Sequence, residues 1–184
     1  MQAERALAAL RAHPGDDSGS DAQARAARGG DLDAFESLVR RYQRRVYGLA
    51  YQHLHDPDEA QDLAQEVFVR LYRNLERYDP ERPFEPWFWR LAANVAATYH
   101  RHRPAIAAEL PDVAGASGAA HEEALPLARA LADLSDELRL PVLLHYYLDL
   151  PLEEVAGAMG LSLSAVKSRL HRARALLRRL LVEE

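Results

Sequence analysis

Apolar residues recur at helical spacing almost throughout the chain. From Asp31 onward, Leu32, Phe35, Leu38, Val39, Tyr42, Val46 and Leu49 fall three or four apart, the stripe of an amphipathic helix, with Asp33 and Glu36 offering a capping box at its start. The next helix begins at Asp56-Pro57-Asp58-Glu59. Asp56 is a capping residue, Pro57 suits a first turn whose N–H groups have no partner anyway, and Glu59 stands where a box closes. Leu63, Val67, Leu71 and Leu75 continue that stripe. Tyr78 to Pro83 reads as a turn by its prolines. Pro86 then opens a third helix bearing Phe88, Leu91, Val95 and Tyr99, which ends in His100-Arg101-His102-Arg103-Pro104.

Residues 104–124 break the pattern. These 21 residues hold eight Ala, two Gly, two Pro and no aromatic, too little apolar surface to stay ordered alone, and are expected to be a flexible linker. Beyond them, Leu125 to Leu134, Glu137 to Leu148 and Leu152 to Met159 read as short helices and Leu163 to Leu181 as a longer one. No segment alternates with the period of a strand, and no fixed repeat is visible. The pattern predicts an all-α protein: two small helical domains, residues 21–103 and 125–184, joined by the linker. Residues 1–20 offer no sustained apolar face after Leu10 and are expected to be a mobile extension.

Composition narrows the chemistry. With 184 residues, 48% apolar and 28% charged, the chain can bury a core and is long enough for two small domains. No cysteine is present, which excludes disulfides, thiolate metal sites and a cysteine nucleophile. No run approaches 18 apolar residues, and the N-terminus lacks the apolar core and cleavage site of a secretory signal. A cytoplasmic protein without membrane insertion and without a cofactor is therefore expected. The net charge of −5 conceals segregation. Asp56 to Glu66 holds five acids and no Lys or Arg, whereas Leu161 to Arg179 holds six Lys or Arg and no acid. Opposite blocks point to two different partners.

The basic block sits in helix-turn-helix grammar. Leu152 to Met159 gives a helix, Gly160 can adopt positive φ at its end, and Ser162 can cap the next. The second helix then places Ser164, Lys167, Ser168, Arg169, His171, Arg172 and Arg174 around Val166, Leu170 and Leu177. Apolar residues would hold such a helix down while basic ones enter a DNA groove, where the planar arginine fork suits phosphates and guanine edges. In the acidic block, Asp58, Asp62 and Glu66 stand four apart beside Gln65, a self-repelling stripe. Glu66 can pair with Arg70, but Asp62 has no basic residue within one turn. A basic external partner would answer that. Between the blocks, Phe84, Trp87, Phe88 and Trp89 cluster next to the turn. Phe88 belongs inside with Leu91 and Val95, so at least one tryptophan is expected on a partly exposed surface, where aromatics beside Arg can stack on unpaired bases.

These elements, in this order, resemble the extracytoplasmic-function group of the sigma-70 family over about residues 21–181. GDLDAFESLVRRYQRRVYGLAY is similar to the start of its region 2, and DPDEAQDLAQEVFVRLYRNL to its polymerase-binding helix. FEPWFWRLAANVAATYHRHR follows the family's W-x-x-R-x-x-x-N pattern through Trp87, Arg90 and Asn94, and VKSRLHRAR resembles its region 4 recognition helix. The resemblance implies an alternative sigma factor, not an enzyme, that binds core RNA polymerase at the clamp coiled coil and the flap, directs promoter recognition and melting, and is restrained by an anti-sigma factor. It implies core contacts at Asp58, Asp62, Gln65 and Glu66, and minus-10 contacts at Tyr78, Phe84, Trp87, Arg90, Asn94 and Arg101. It implies minus-35 contacts at Ser164, Lys167, Ser168, Arg169, His171, Arg172 and Arg174. Thr98, His100, His102 and Ala165 depart from the family pattern, which leaves the promoter sequence open.

Two rivals stand beside this reading. A helix-turn-helix repressor or activator would bind DNA without polymerase, but gives no role to the acidic stripe. A metal-dependent hydrolase would use His53, His55, Asp56 and Asp58, or His100 and His102. Residues two apart on a helix point about 200° away from each other, so neither histidine pair can chelate from a continuous helix.

Overall fold

The computed structural model describes Leu7, residues 19–99 and residues 120–181, the side chains of 120–125 excepted. Among these residues all regular structure is helical. The first domain is built from α1 (Ser20–Arg28), α2 (Leu32–Leu54), α3 (Pro57–Asn74), a 3₁₀ turn (Leu75–Arg77) and α4 (Phe84–Tyr99). The second holds α5 (Ala120–Ala132), α6 (Asp136–Val142) running into a π turn (Leu143–Tyr147), α7 (Leu152–Met159) and α8 (Leu163–Leu180).

Helices α2, α3 and α8 start where the sequence places them, with one change of cap, while α4 begins at Phe84, two residues before the expected Pro86. Asp56 caps α3, its Oδ1 accepting from the N–H groups of Asp58 and Glu59 at 2.9 Å. For α2 the cap is Asp31 rather than Asp33: its Oδ1 accepts from Asp33 and Ala34 at 3.0 Å, and Glu36 turns to Arg40 instead. Tyr42, Phe84 and Phe88 are completely buried where α2 and α4 cross, with the Tyr42 and Phe88 rings 4.7 Å apart. Leu63, Val67 and Leu71 close the core from α3.

One helix and two boundaries differ from the expectation. Residues 20–28 form a helix that the apolar pattern did not reveal, because its buried face consists of Ser20, Ala24 and Ala27. The expected extension over residues 1–20 fails at two described positions, since Leu7 is helical and buried and Ser20 opens α1. The rest of residues 1–18 lies outside the described residues. The expected linker likewise lies outside them over residues 104–119, while helix α5 already begins at Ala120, five residues before its expected start.

The two domains share one apolar core, with α7 packed on α4, and α5, α6 and the π turn on α2. Two polar features fasten this seam. Arg139, only 8% exposed, sends all five of its N–H bonds to oxygens: the carbonyls of Leu131, Ala132 and Leu134, the carbonyl of His53, and the Asp136 carboxylate. It thereby satisfies the C-terminal carbonyls of α5 and one near the end of α2, where the helix dipoles favour a cation. Tyr147, at the end of the π turn, reaches over Gly48 in the middle of α2, and its hydroxyl lies 3.4 Å from the Arg45 carbonyl. The π turn follows Pro141, which cannot donate to the helical ladder.

Candidate nucleic-acid interface

Helix α3 presents the acidic stripe to solvent. Asp58, Asp62 and Gln65 are exposed and Glu66 is half-buried. Glu66 Oε1 lies 2.7 Å from Arg70 Nε, whereas Asp58 and Asp62 are in no ion pair among the described residues. The repulsion read from the spacing is thus relieved at one end of the stripe only.

Beside that stripe, α3 and α4 enclose a groove. Arg70, Asn74 and Arg77 line one wall, and Trp87, Arg90, Asn94 and Thr98 the other, around a cavity of about 480 Å³. Trp87, Arg90 and Asn94 come together because spacings of three and four put them on one helix face. Arg90 and Asn94 are exposed and Trp87 is half-buried, so the cavity combines an aromatic wall with cationic and amide donors. Trp89 faces the other way. Its indole N–H donates to Glu85 Oε1 at 2.8 Å, the same oxygen holds Arg45 Nη1 at 2.7 Å, and the Arg45 guanidinium sits 4.6 Å from the Trp89 ring centroid. The expectation of one partly exposed tryptophan is met by Trp87.

Tyr78 and Phe84, both expected at the minus-10 surface, are instead core residues, with exposures of 1% and 0%. Their rings meet edge to face at 5.4 Å, and the Tyr78 hydroxyl donates to the Arg82 carbonyl at 2.7 Å, so they shape the turn from beneath. Burial pushes the Tyr78 phenol up, which keeps it a hydroxyl donor. Sequence reasoning missed what braces this turn from outside. Asp21 on α1 accepts the Phe84 N–H at 2.8 Å, capping α4 from another element, while Arg25 and Arg28 reach the carbonyls of Pro80 and Glu76. Nothing in a short alanine-rich segment announces this. Arg101 lies outside the described residues.

In the second domain, Gly160 takes φ 65° and ψ 34° at the end of α7, and the Leu161 N–H donates back to the Ala156 carbonyl at 2.9 Å. That left-handed residue turns the chain sharply into α8, whose first turn is capped by Ser162 Oγ accepting from Ala165 N at 3.2 Å. Val166, Leu170, Ala173 and Leu177 fasten α8 to the domain. Ser164, Lys167, Ser168, His171 and Arg172 are exposed on its outer side, whereas Arg169 and Arg174 are half-buried. Arg169 points back toward α6, 3.5 Å from Glu137. The outer face is therefore cationic and hydrogen-bonding.

Residues 38–105 match the family model for Sigma-70 region 2, and residues 124–177 that for Sigma-70, region 4. The ECF RNA polymerase sigma factor SigW of Bacillus subtilis is 31% identical over 168 residues, covering 82% of this chain and 90% of SigW. The sigma factor CarQ of Myxococcus xanthus is 34% identical over 163 residues, covering 85% of this chain and 94% of CarQ. The chain belongs to the sigma-70 family, in its ECF group. Its architecture is also similar to that of CnrH in a solved complex with the cytosolic domain of CnrY, with TM-score 0.65 and 28% identity over 90% of this chain and 99% of that one. In this sigma factor the acidic stripe and the α3–α4 groove fall within the region 2 match, while α1 lies outside it. Among the described residues no group of three His, Asp or Glu is placed to hold a metal ion, and no helix is long and apolar enough to cross a membrane.

Proposed function

We propose that this sigma factor docks core RNA polymerase through Asp58, Asp62, Gln65 and Glu66, with the clamp coiled coil as their basic partner and the flap receiving the second domain. Residues 21–103 then form the core-binding and minus-10 domain and residues 125–184 the minus-35 domain. In the first, Trp87, Arg90 and Asn94 take the minus-10 strand. The α3–α4 cavity is large enough for an unstacked base, and an aromatic wall beside arginines is what a flipped base needs. Tyr78 and Phe84 hold the turn in shape for it. In the second, Ser164, Lys167, Ser168, His171 and Arg172 face the minus-35 major groove, and Arg169 and Arg174 lie nearer phosphates or neighbouring protein. The subunit catalyses nothing itself, works in the cytoplasm, and is restrained by an anti-sigma factor, as the family implies.

The observation that carries this reading is the separation of charge. An acidic face, with Asp58 and Asp62 in no ion pair among the described residues, stands on α3, and a basic face stands on the outer side of α8, so one chain can hold a protein and a nucleic acid at once. Run-off transcription on fragmented genomic DNA, with purified core enzyme and this chain, tests it. Discrete transcripts that need both components are expected. A chain that shifts the same DNA tightly without core enzyme, and adds no transcripts with it, would be a repressor or activator instead.

A further inference from the structure

The furrow between α3 and α4 has two electrical halves. One is lined by Asp62, Gln65 and Glu66, the other by Asn74, Arg77, Arg90 and Asn94, and Arg70, Val95 and Thr98 border both. The halves meet at the ion pair of Glu66 Oε1 with Arg70 Nε, at 2.7 Å. Each partner of that pair also faces a second attraction. Glu66 belongs to the acidic stripe, and a cationic surface placed on the stripe would compete for its carboxylate. Arg70 overhangs a cavity whose other cations, Arg77 and Arg90, are in no ion pair among the described residues.

The pair itself is weak. With side chains 56% and 38% exposed, one turn apart on a helix, Arg70 and Glu66 attract each other through well-screened water. A basic partner that desolvates Glu66 outcompetes this contact, and the arginine stem is long enough to swing its head into the adjoining cavity.

We propose that Arg70 is a shared strand-binding residue, held by Glu66 while the acidic face is empty and handed to the anionic DNA strand once that face is occupied. The hand-over rests on the reading that the stripe docks core polymerase, and adds a coupling which docking alone does not require. Polymerase and minus-10 strand each raise the other's affinity by the same factor, because both favour the state in which Glu66 and Arg70 have parted.

A double-mutant cycle on the full chain without polymerase isolates the pair. The probe is a 5′-labelled 12-nucleotide single strand covering the minus-10 region of a promoter mapped by the run-off assay. Glu66→Gln keeps the shape of the side chain and removes the charge that holds Arg70. It should tighten strand binding about threefold and steepen the dependence of log K on log salt by about 0.7, the increment for one added phosphate contact on a single strand. In the Arg70→Met background, Glu66→Gln should change neither quantity. A gain that persists in that background, or no gain in the parent, overturns the proposal.

A second arm adds core enzyme. Arg70→Met should weaken strand binding at least threefold more in the holoenzyme than in the free chain. If the chain fails to co-elute with core, the docking reading is what falls. If it co-elutes and Arg70→Met costs the same in both settings, docking stands and the hand-over is wrong.

Discussion

Arg139 donates through Nη1 to the main-chain carbonyl of His53, 2.7 Å away and 86 residues earlier in the chain. The bond joins the second helical domain to the first, and the remaining four N–H bonds of the guanidinium gather the chain around the end of α5. Burial pulls the Arg139 pKa below its usual value, yet an arginine stays charged, so the cost of burying it is offset by complete hydrogen bonding. Replacing Arg139 with Met should therefore cost about 3 kcal/mol, because buried carbonyls lose their donor. Arg139→Lys should recover little, having three donors for five acceptors and no fork. Urea denaturation of the three proteins gives the order directly, and a lysine variant as stable as the parent would contradict it.

Gly48 and Tyr147 make the same seam legible from the sequence side. A glycine in the middle of a 23-residue helix forfeits about 1 kcal/mol against alanine, and a Cβ there would land on the Tyr147 hydroxyl. In separated domains, Gly48→Ala should stabilise α2; in packed domains it should drive them apart. Small-angle scattering is expected to show a larger radius of gyration for Gly48→Ala, and Tyr147→Phe, which deletes the colliding hydroxyl, should reverse most of the increase. An unchanged radius in Gly48→Ala would mean that the Tyr147 ring shifts aside and the seam stays closed, against this expectation. The seam also bears on promoter binding. Helices α4 and α8 both pack on α7, which puts their axes within about 20 Å of each other. The two DNA-facing surfaces proposed for α4 and α8 are therefore held close together as long as the α4–α7 contact is kept.

His55 ties this seam to pH. It sits in the left-handed region at φ 57°, next to Arg139, and its pKa is held down to about 4, first by burial and then by the arginine charge, with Asp136 opposing. Unfolded, it titrates near 6.5. Above pH 6.5 the imidazole is neutral in both states and its contribution to stability is fully present. As pH falls from 6.5 toward 4, the unfolded chain takes up a proton that the folded chain refuses, and stability is lost across that window. His55→Asn tolerates the left-handed backbone and does not titrate. Urea midpoints at pH 7.5 and 5.0 should therefore differ more for the parent than for His55→Asn, and equal differences would refute the assignment.

Which parts of this molecule could be read in advance follows from where the information lies. Helices α2, α3 and α8 declare themselves because a leucine or aromatic stripe, a cap and a stop coincide within one segment. The same holds for the turn at Gly160, where a glycine and a serine cap flank the bend. Helix α1 was not readable, since its buried face is made of alanines and a serine, and its partner, the Phe84 N–H, is 63 residues away. The resemblance implies a surface role for Tyr78 and Phe84, and their burial escapes the sequence for a related reason. An aromatic beside a turn has the same local sequence whether it lies on the outside or beneath, and only the arrival of Tyr42 from α2 decides. Local patterns give periodicity and charge; contacts made across the fold decide which aromatics remain outside.

Asp62 separates the interests of the fold from those of function. It is exposed, in no ion pair among the described residues, and flanked one turn away on each side by Asp58 and Glu66. Asp62→Lys replaces two repulsions with two attractions, so the chain should become slightly more stable, by ~0.2–0.5 kcal/mol per pair. A residue serving only as a solvated helix surface would show that gain and nothing else. If the stripe docks a basic polymerase surface, the same substitution should lower run-off transcription at least tenfold, with thermal stability unchanged or higher and DNA binding by α8 intact. Transcription at the parent level in a folded Asp62→Lys protein would remove the acidic face from the polymerase interface.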